Sequence, residues 1–217
     1  MTAVIETELK LRGGPAELDA LAVLDRIGPA TLGAARTVDE LDVYLDTASG
    51  ALAAARWACR LRARDGRRWI SCKGPAEHLP RAVLHRRPEV EGAAPDGEVT
   101  VPAEWPPSPA RELVLRLAGD APLVERITLR QRRTERTVAV SESRIGTLSL
   151  DRVAVELGGT GIGGFAMVEL ELDPGVEPAG VGRVLTALGE RPGLEPDPLS
   201  KLEHALALAR GAAGANR

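Results

Sequence analysis

The chain has 217 residues, 44% hydrophobic, 27% charged and only 2% aromatic, with a formal net charge of −3. That length suits one large domain or two small ones. The scarcity of aromatics weighs against base stacking, and the near-neutral charge excludes a global basic field for nucleic acid, so any anion site must be a local cluster. Two cysteines, Cys59 and Cys72, make no CXXC pair and are expected to be reduced and buried. Charges at Glu6, Glu8 and Lys10 interrupt the N-terminus, and no apolar run is long enough to span a membrane, so a cytoplasmic protein is expected.

The first element, Val4–Arg12, alternates strictly: Ile5, Thr7, Leu9 and Leu11 against Glu6, Glu8, Lys10 and Arg12. Period two predicts a β-strand whose charged neighbours stand roughly 6.5–7 Å apart. Carboxylates offer oxygen ligands to a hard divalent cation, and a lysine offers a phosphate a point charge. Gly13-Gly14-Pro15 then breaks the pattern, and Leu18, Leu21, Ala22 and Leu24 predict an amphipathic helix reaching about Ile27. Residues 37–46 read as a second strand with Asp42, Tyr44 and Asp46 in phase, and residues 57–64 as a third with Arg60, Arg62 and Arg64 in phase. Asp65-Gly66 is a hairpin signal, and Trp69, Ser71 and Lys73 share a face of the return strand.

A fifth strand is expected over 82–91, with Arg87, Glu89 and Glu91 in phase and Pro88 implying a bulge or an edge. Residues 92–109 read as a long connection and 109–118 as a helix. Two further strands are expected within 123–140, separated by a tight turn, with Arg130 and Arg132 on one face. Asp151 sits centrally in the next strand, 158–164 reads as a flexible connector, and 165–172 mirrors the first strand with Glu169 and Glu171. Helices follow over about 178–188 and from Asp197 or Ser200 onward.

Several strands thus carry one apolar and one charged face. An open sheet could wet the charged face. A closed barrel could instead turn it inward to bind a linear polyanion. Periodicity leaves both open. Arginine far outnumbers lysine, so the surviving Lys10, Lys73 and Lys201 are candidates for sites that need a compact ammonium.

The order of short motifs resembles the CYTH superfamily, the triphosphate tunnel metalloenzymes. Glu6-X-Glu8-X-Lys10 resembles that family's N-terminal hallmark, Tyr44-X-Asp46-Thr47 its YXDT strand end, and Arg60-X-Arg62 with Ser71-X-Lys73-Gly74 its basic hairpin. Arg130-X-Arg132 resembles its central basic strand, Asp151 with Glu169-X-Glu171 its closing acidic strands, and Ser200-Lys201 an SK pair at its last helix. Pro88, the Gly-rich stretch 158–164 and Met167 depart from the pattern.

The resemblance implies an α+β fold, an eight-stranded antiparallel β-barrel tunnel with a charged lumen and helices packed outside. It would occupy residues 1–208, leaving 209–217 as a flexible tail. It further implies hydrolysis of a triphosphate with Mg²⁺ or Mn²⁺, inorganic triphosphate being the favoured substrate. Lys10, Arg60, Arg62, Lys73, Arg87, Arg130, Arg132 and Lys201 would clamp phosphates, while Glu6, Glu8, Glu169 and Glu171 would hold metal. Glu6, Glu8, Lys10 and Asp151 would be catalytic, one carboxylate serving as base. The alternatives are a CYTH-type adenylate cyclase, a thiamine or nucleoside triphosphatase, or a non-catalytic polyphosphate- or nucleotide-binding module; low aromatic content favours the inorganic substrate. Expected partners are a small-molecule triphosphate or polyphosphate, with neither membrane nor nucleic acid, in a monomer or homodimer. The resemblance leaves two expectations open, a CHAD domain in a longer parent chain or a complete short member of the family. His78, His85 and His204 lack ligand spacing and are expected at the surface or in packing.

Overall fold

The computed structural model describes residues 3–79 and 84–215. Eight strands build a wall: β1 (Val4–Arg12), β2 (Arg36–Thr47), β3 (Ala58–Arg64), β4 (Arg67–Lys73), β5 (Leu84–Ala93), β6 (Leu123–Val140), β7 (Ser143–Leu157) and β8 (Thr160–Leu172). Their neighbour order is β7-β8-β1-β5-β4-β3-β2-β6, and β6 pairs back onto β7. Every pair in the ring is antiparallel, so the sheet closes into a barrel. Closure leaves no free edge and gives each strand an inside and an outside.

Among the described residues there are five α-helices, α1 (Pro15–Ala22), α2 (Ala51–Ala54), α3 (Pro109–Ala118), α4 (Gly182–Gly189) and α5 (Lys201–Ala215), and the first four pack on the outer face of this wall. The hydrophobic effect selects which face they cover. Leu9, Leu11, Leu148, Leu150, Val168 and Leu170 point outward and are buried against Leu18 and Leu21 of α1 and Val184, Leu185 and Leu188 of α4. On the other side Cys59, Ile70, Cys72 and Val90 meet Leu52 of α2 and Leu113 and Val114 of α3. Each such side chain contributes roughly 1.5–3 kcal/mol when buried, which fixes the strands' rotation and turns the charged phase inward. The two cysteines face each other across β3 and β4 and are free and buried, as expected.

α5 differs from the other helices. It lies across one end of the barrel, where the inward phase changes from charged to apolar: Ile127, Leu129, Val153 and Val155 cluster with Tyr44 and Ala205, and Leu202 and Leu208 pack beside them. Ser200 starts it with a reciprocal cap, its hydroxyl accepting from Glu203 N (3.2 Å) while Glu203 Oε2 accepts from Ser200 N (2.7 Å). The helix continues to Ala215, and Ala209 packs against the apolar cluster, so most of the expected tail is helix.

Other local expectations shift. α1 stops at Ala22, and a small hairpin of Arg26–Ile27 and Ala30–Leu32 follows. Arg136, outward on β6, gathers that segment by donating to the carbonyls of Ala22, Leu24, Leu32 and Gly33. Residues 123–140 form one strand of 18 residues, not two. The turn comes afterwards, at Ser141 and Glu142 with φ of 48° and 69°. The expected connector at 158–164 is instead a tight hairpin on Gly158 and Gly159, with β8 already running from Thr160. Asp65-Gly66 turns β3 into β4 with both φ positive, as its sequence signal requires. Pro88 makes neither bulge nor edge: β5 pairs on both sides without a register shift. The ladder to β4 begins only at Glu89, and the Pro88 carbonyl accepts from Gly74 N (2.8 Å), so the missing N–H interrupts no bond there. The expected start of β5 at Ala82 lies outside the described residues, as does the side chain of His78.

Candidate active site

Strand pitch and register assemble the site. β1 projects Glu6, Glu8 and Lys10 inward, and pairing sets Glu6 opposite Arg87, Glu8 opposite Glu171 and Lys10 opposite Glu169. β3 projects Arg60, Arg62 and Arg64 beside Tyr44, Asp42 and Glu40 of β2. β4 adds Ser71 and Lys73, and Asp151 lies on β7. The space between them is a cavity of about 440 Å³, lined by Lys10, Arg60, Arg62, Lys73, Arg87, Arg133 and Lys201 together with Glu6, Glu89, Glu91, Glu169 and Glu171. Tyr44 is the lone aromatic among the described lining residues.

The interior is a lattice of ion pairs. Lys73 and Arg87 hold Glu6 at 2.5 and 2.8 Å, and Arg87 and Lys10 hold Glu8 at 2.7 and 2.9 Å. Asp42 takes a two-pronged contact from Arg62 (2.6 and 2.6 Å), one from Arg60 (3.2 Å) and one from the Gln131 amide (2.7 Å). Asp151, fully buried, is gripped by Arg133 at 2.7 and 2.8 Å and by Lys201 at 2.7 Å. Lys201 also reaches Glu169 at 2.6 Å. The capped start of α5 thus inserts Lys201, the third of the surviving lysines, into the cavity wall.

These contacts set the protonation states. Burial alone would raise the carboxyls of Glu6, Asp42, Asp151 and Glu169, but the adjacent cations reverse that and hold all four below their ordinary range. Glu171 behaves oppositely. Desolvation, then Glu6, Glu8 and Glu89 nearby, outweigh Lys73 and push it up to about 7. Burial draws the Lys73 ammonium below its usual value against the pull of Glu6.

Two expected clamp residues are elsewhere. Arg130 and Arg132 point outward: Arg130 is exposed and pairs with Glu156 at 2.7 Å, and Arg132 is exposed as well. Arg133, one residue on, enters the cavity in their place, in phase with Leu129 and Gln131. The sequence reading put apolar residues outside and arginines inside. That rule fails where α5 supplies apolar cover to the interior, so Ile127 and Leu129 are inward and the phase of β6 inverts. The signal that could have found it is Leu129-X-Gln131-X-Arg133 in phase with the inward Glu40-X-Asp42.

Other singled-out residues have structural duties. Asp46 accepts from the backbone N–H groups of Thr47, Leu52 and Ala53, capping α2, and Thr47 Oγ1 accepts from Ala51 N. His85 is buried and its Nε2 lies 3.0 Å from the Asp197 carbonyl. His204 contacts Asp197 and stacks near Phe165. Among the described residues no three His, Cys, Asp or Glu side chains converge as a ready metal cage, and no helix is long and apolar enough to cross a membrane.

Comparison with known proteins fits this geometry. No curated protein sequence matches. Among solved structures, a Hippeastrum protein named as an adenylyl cyclase and described as revealing a dominant triphosphatase activity superposes with a TM-score of 0.66 at 21% identity, covering 93% of this chain and 95% of its own. A Bacillus halodurans protein named as a candidate adenylate cyclase gives a TM-score of 0.61 at 17% identity, covering 94% of this chain and 98% of its own. The Pyrococcus horikoshii protein PH1819 gives 0.53 at 20% identity, with 92% and 98% covered. These likenesses establish the fold. The CYTH domain family matches residues 4–203, nearly the whole barrel and the start of α5, and the chain belongs to the CYTH family.

Proposed function

We propose that the protein hydrolyses inorganic triphosphate inside the barrel. One observation carries the reading: a small walled cavity whose described lining is dominated by lysine, arginine and glutamate, with a single aromatic. A linear polyanion needs rows of cations, whereas a nucleoside or thiamine group is favoured by a stacking surface, and Tyr44 is the one aromatic among the described lining residues beside the smaller apolar Val4, Ala58, Val90, Pro109 and Leu202. The Hippeastrum protein's dominant triphosphatase activity supports the same direction, and the adenylate cyclase names of the neighbours make cyclase activity the alternative to test.

Lys10, Arg60, Lys73, Arg87 and Arg133 would hold phosphate oxygens and stabilise charge developing in phosphoryl transfer. Lys201 would join them from α5. Glu6, Glu8, Glu169 and Glu171 suit a hard divalent cation such as Mg²⁺ or Mn²⁺, because they are oxygen donors on adjacent strands and Glu171 stands among like charges. Such an ion, when bound, would supply Lewis-acid stabilisation of the negative charge that develops on the phosphates. Glu6, Glu8 and Glu169 are already paired with cations, so phosphates that take over Lys73, Arg87 and Lys201 would free those carboxylates as donors. Anion and metal should therefore bind cooperatively. Asp151, pinned by two cations, serves better as an anchor for Arg133 and Lys201 than as a base.

The test is phosphate release from inorganic tripolyphosphate, ATP and thiamine triphosphate with Mg²⁺, Mn²⁺ or EDTA. Metal-dependent release far faster from tripolyphosphate is expected. Cyclic AMP from ATP as the dominant product would replace this reading with the cyclase one, and binding without turnover would leave a sensing module.

A further inference from the structure

Asp42 touches no open part of the cavity, yet the arrangement around it distinguishes the two arginines of β3. It is fully buried. Arg62 commits Nε and a terminal nitrogen to it, and the same terminal nitrogen lies 3.3 Å from Glu40. Arg60 gives it a single, longer contact of 3.2 Å from one terminal nitrogen. Its buried Nε has no hydrogen-bond partner among the described residues, although Arg60 lines the cavity. A buried guanidinium donor left without a partner is costly, and its complement is an anion within the cavity. Arg62 is therefore a strut and Arg60 a ligand-facing group. The Gln131 amide fixes the remaining freedom of the carboxylate at 2.7 Å.

We infer that Asp42 is a positioning residue: it locks Arg62 into the wall and aims Arg60 at a phosphate oxygen of the bound triphosphate. The inference rests on the proposed triphosphate reading. It has a signed rival. If Asp42 merely dampened positive charge, neutralising it would leave the lumen more cationic and tighten anion binding. If it positions Arg60, neutralising it displaces a phosphate-holding group and weakens its contact with the substrate, and a misplacement of about 1 Å can cost on the order of 100-fold.

The experiment is a double-mutant cycle with Asp42→Asn, Arg60→Lys and the pair, read as kcat and KM for inorganic tripolyphosphate in saturating Mg²⁺, with thermal melts to verify folding. Expected for Asp42→Asn is a fall in kcat/KM of roughly 10- to 100-fold, carried mainly by KM. The double variant should be no worse than Arg60→Lys, since Asp42 acts through Arg60. Unchanged or lower KM in Asp42→Asn, or losses that multiply independently, overturns the positioning role while leaving the triphosphatase reading intact. A wild-type protein that turns over no tripolyphosphate overturns both. Should Asp42→Asn fail to fold, Gln131→Met removes one anchor of the carboxylate without altering either arginine. It should raise KM by a smaller factor, again without further loss in the Arg60→Lys background, and an additive loss there overturns the inference.

Discussion

At the scale of single residues, the lumen contains two kinds of carboxylate. Glu8 sits between Lys10 and Arg87, so truncating it takes the ion-pair partner from the buried Lys10 and leaves Arg87 with Glu6 alone. Glu8→Ala should destabilise the fold by roughly 3–5 kcal/mol. Glu8→Gln keeps the shape and is the better probe, expected to abolish metal-dependent turnover with a smaller loss of melting temperature. Glu171 is the second kind. Its folded value is about 7 against an ordinary 4.5, so between these pH values the folded state holds the extra proton. Stability contributed by that proton falls as pH rises through the window and is gone above it. In EDTA, the melting temperature of wild type minus that of Glu171→Gln should therefore decline from about pH 4.5 to 7 and level off beyond. A flat difference across that range would show that Glu171 titrates normally.

At the scale of elements, caps decide where short helices form. α2 is a single turn and owes its place to Asp46, which satisfies three backbone N–H groups. Asp46→Ala should cost about 2 kcal/mol in denaturant melts, the upper end for a lost cap, because several orphan donors go together. Ser200→Ala should cost about 1 kcal/mol. It should also raise KM for tripolyphosphate, because the capped turn is what seats Lys201 against Asp151 and Glu169. An unchanged KM would separate the cap from the site. Arg136 plays the corresponding part for a loop, replacing a longer helix with a strapped small hairpin.

At the scale of the whole molecule, the barrel buries a charge lattice that needs its own pairings to persist. Glu6, Asp42, Asp151 and Glu169 are held below ordinary values of 4.5 and 3.8. Their contribution is complete above those values, where the folded state has already shed the protons that the unfolded chain would still bind on acidification. It is lost as pH falls below them. Melting temperature should drop steeply on acidification below about pH 4.5, and a charge-reduced lumen such as Asp151→Asn should soften that drop. Tripolyphosphate and Mg²⁺ added together should stabilise the protein more than the sum of each alone. The benefit should approach about 2.7 kcal/mol at a hundred times the dissociation constant, and simple additivity would refute cooperative occupancy.

How much of this was legible in the chain varies by strand. Period two alone placed Glu6, Glu8, Lys10, Arg60, Arg62, Lys73, Glu169 and Glu171 on one phase each, because these strands have a helix-covered outer face and an uncovered inner one. Hairpin chemistry at Asp65-Gly66 was equally local and equally readable, whereas the chain alone leaves the start of α5 between Asp197 and Ser200. Local periodicity could not tell whether the sheet closes, because closure depends on the pairing of β6 with β7 and of β8 with β1. Nor could it find the phase of β6, where Arg130, Gln131, Arg132 and Arg133 run without alternation. That phase depends on α5 from the far end of the chain supplying apolar cover inside the barrel end. Interactions between near neighbours set the charged faces of β1, β3, β4 and β8 and the turn at Asp65-Gly66, and these could be read from the chain. That Arg133 and not Arg130 or Arg132 enters the lumen, and which cation each carboxylate holds, could not be read there, because those outcomes rest on contacts between residues distant in the chain.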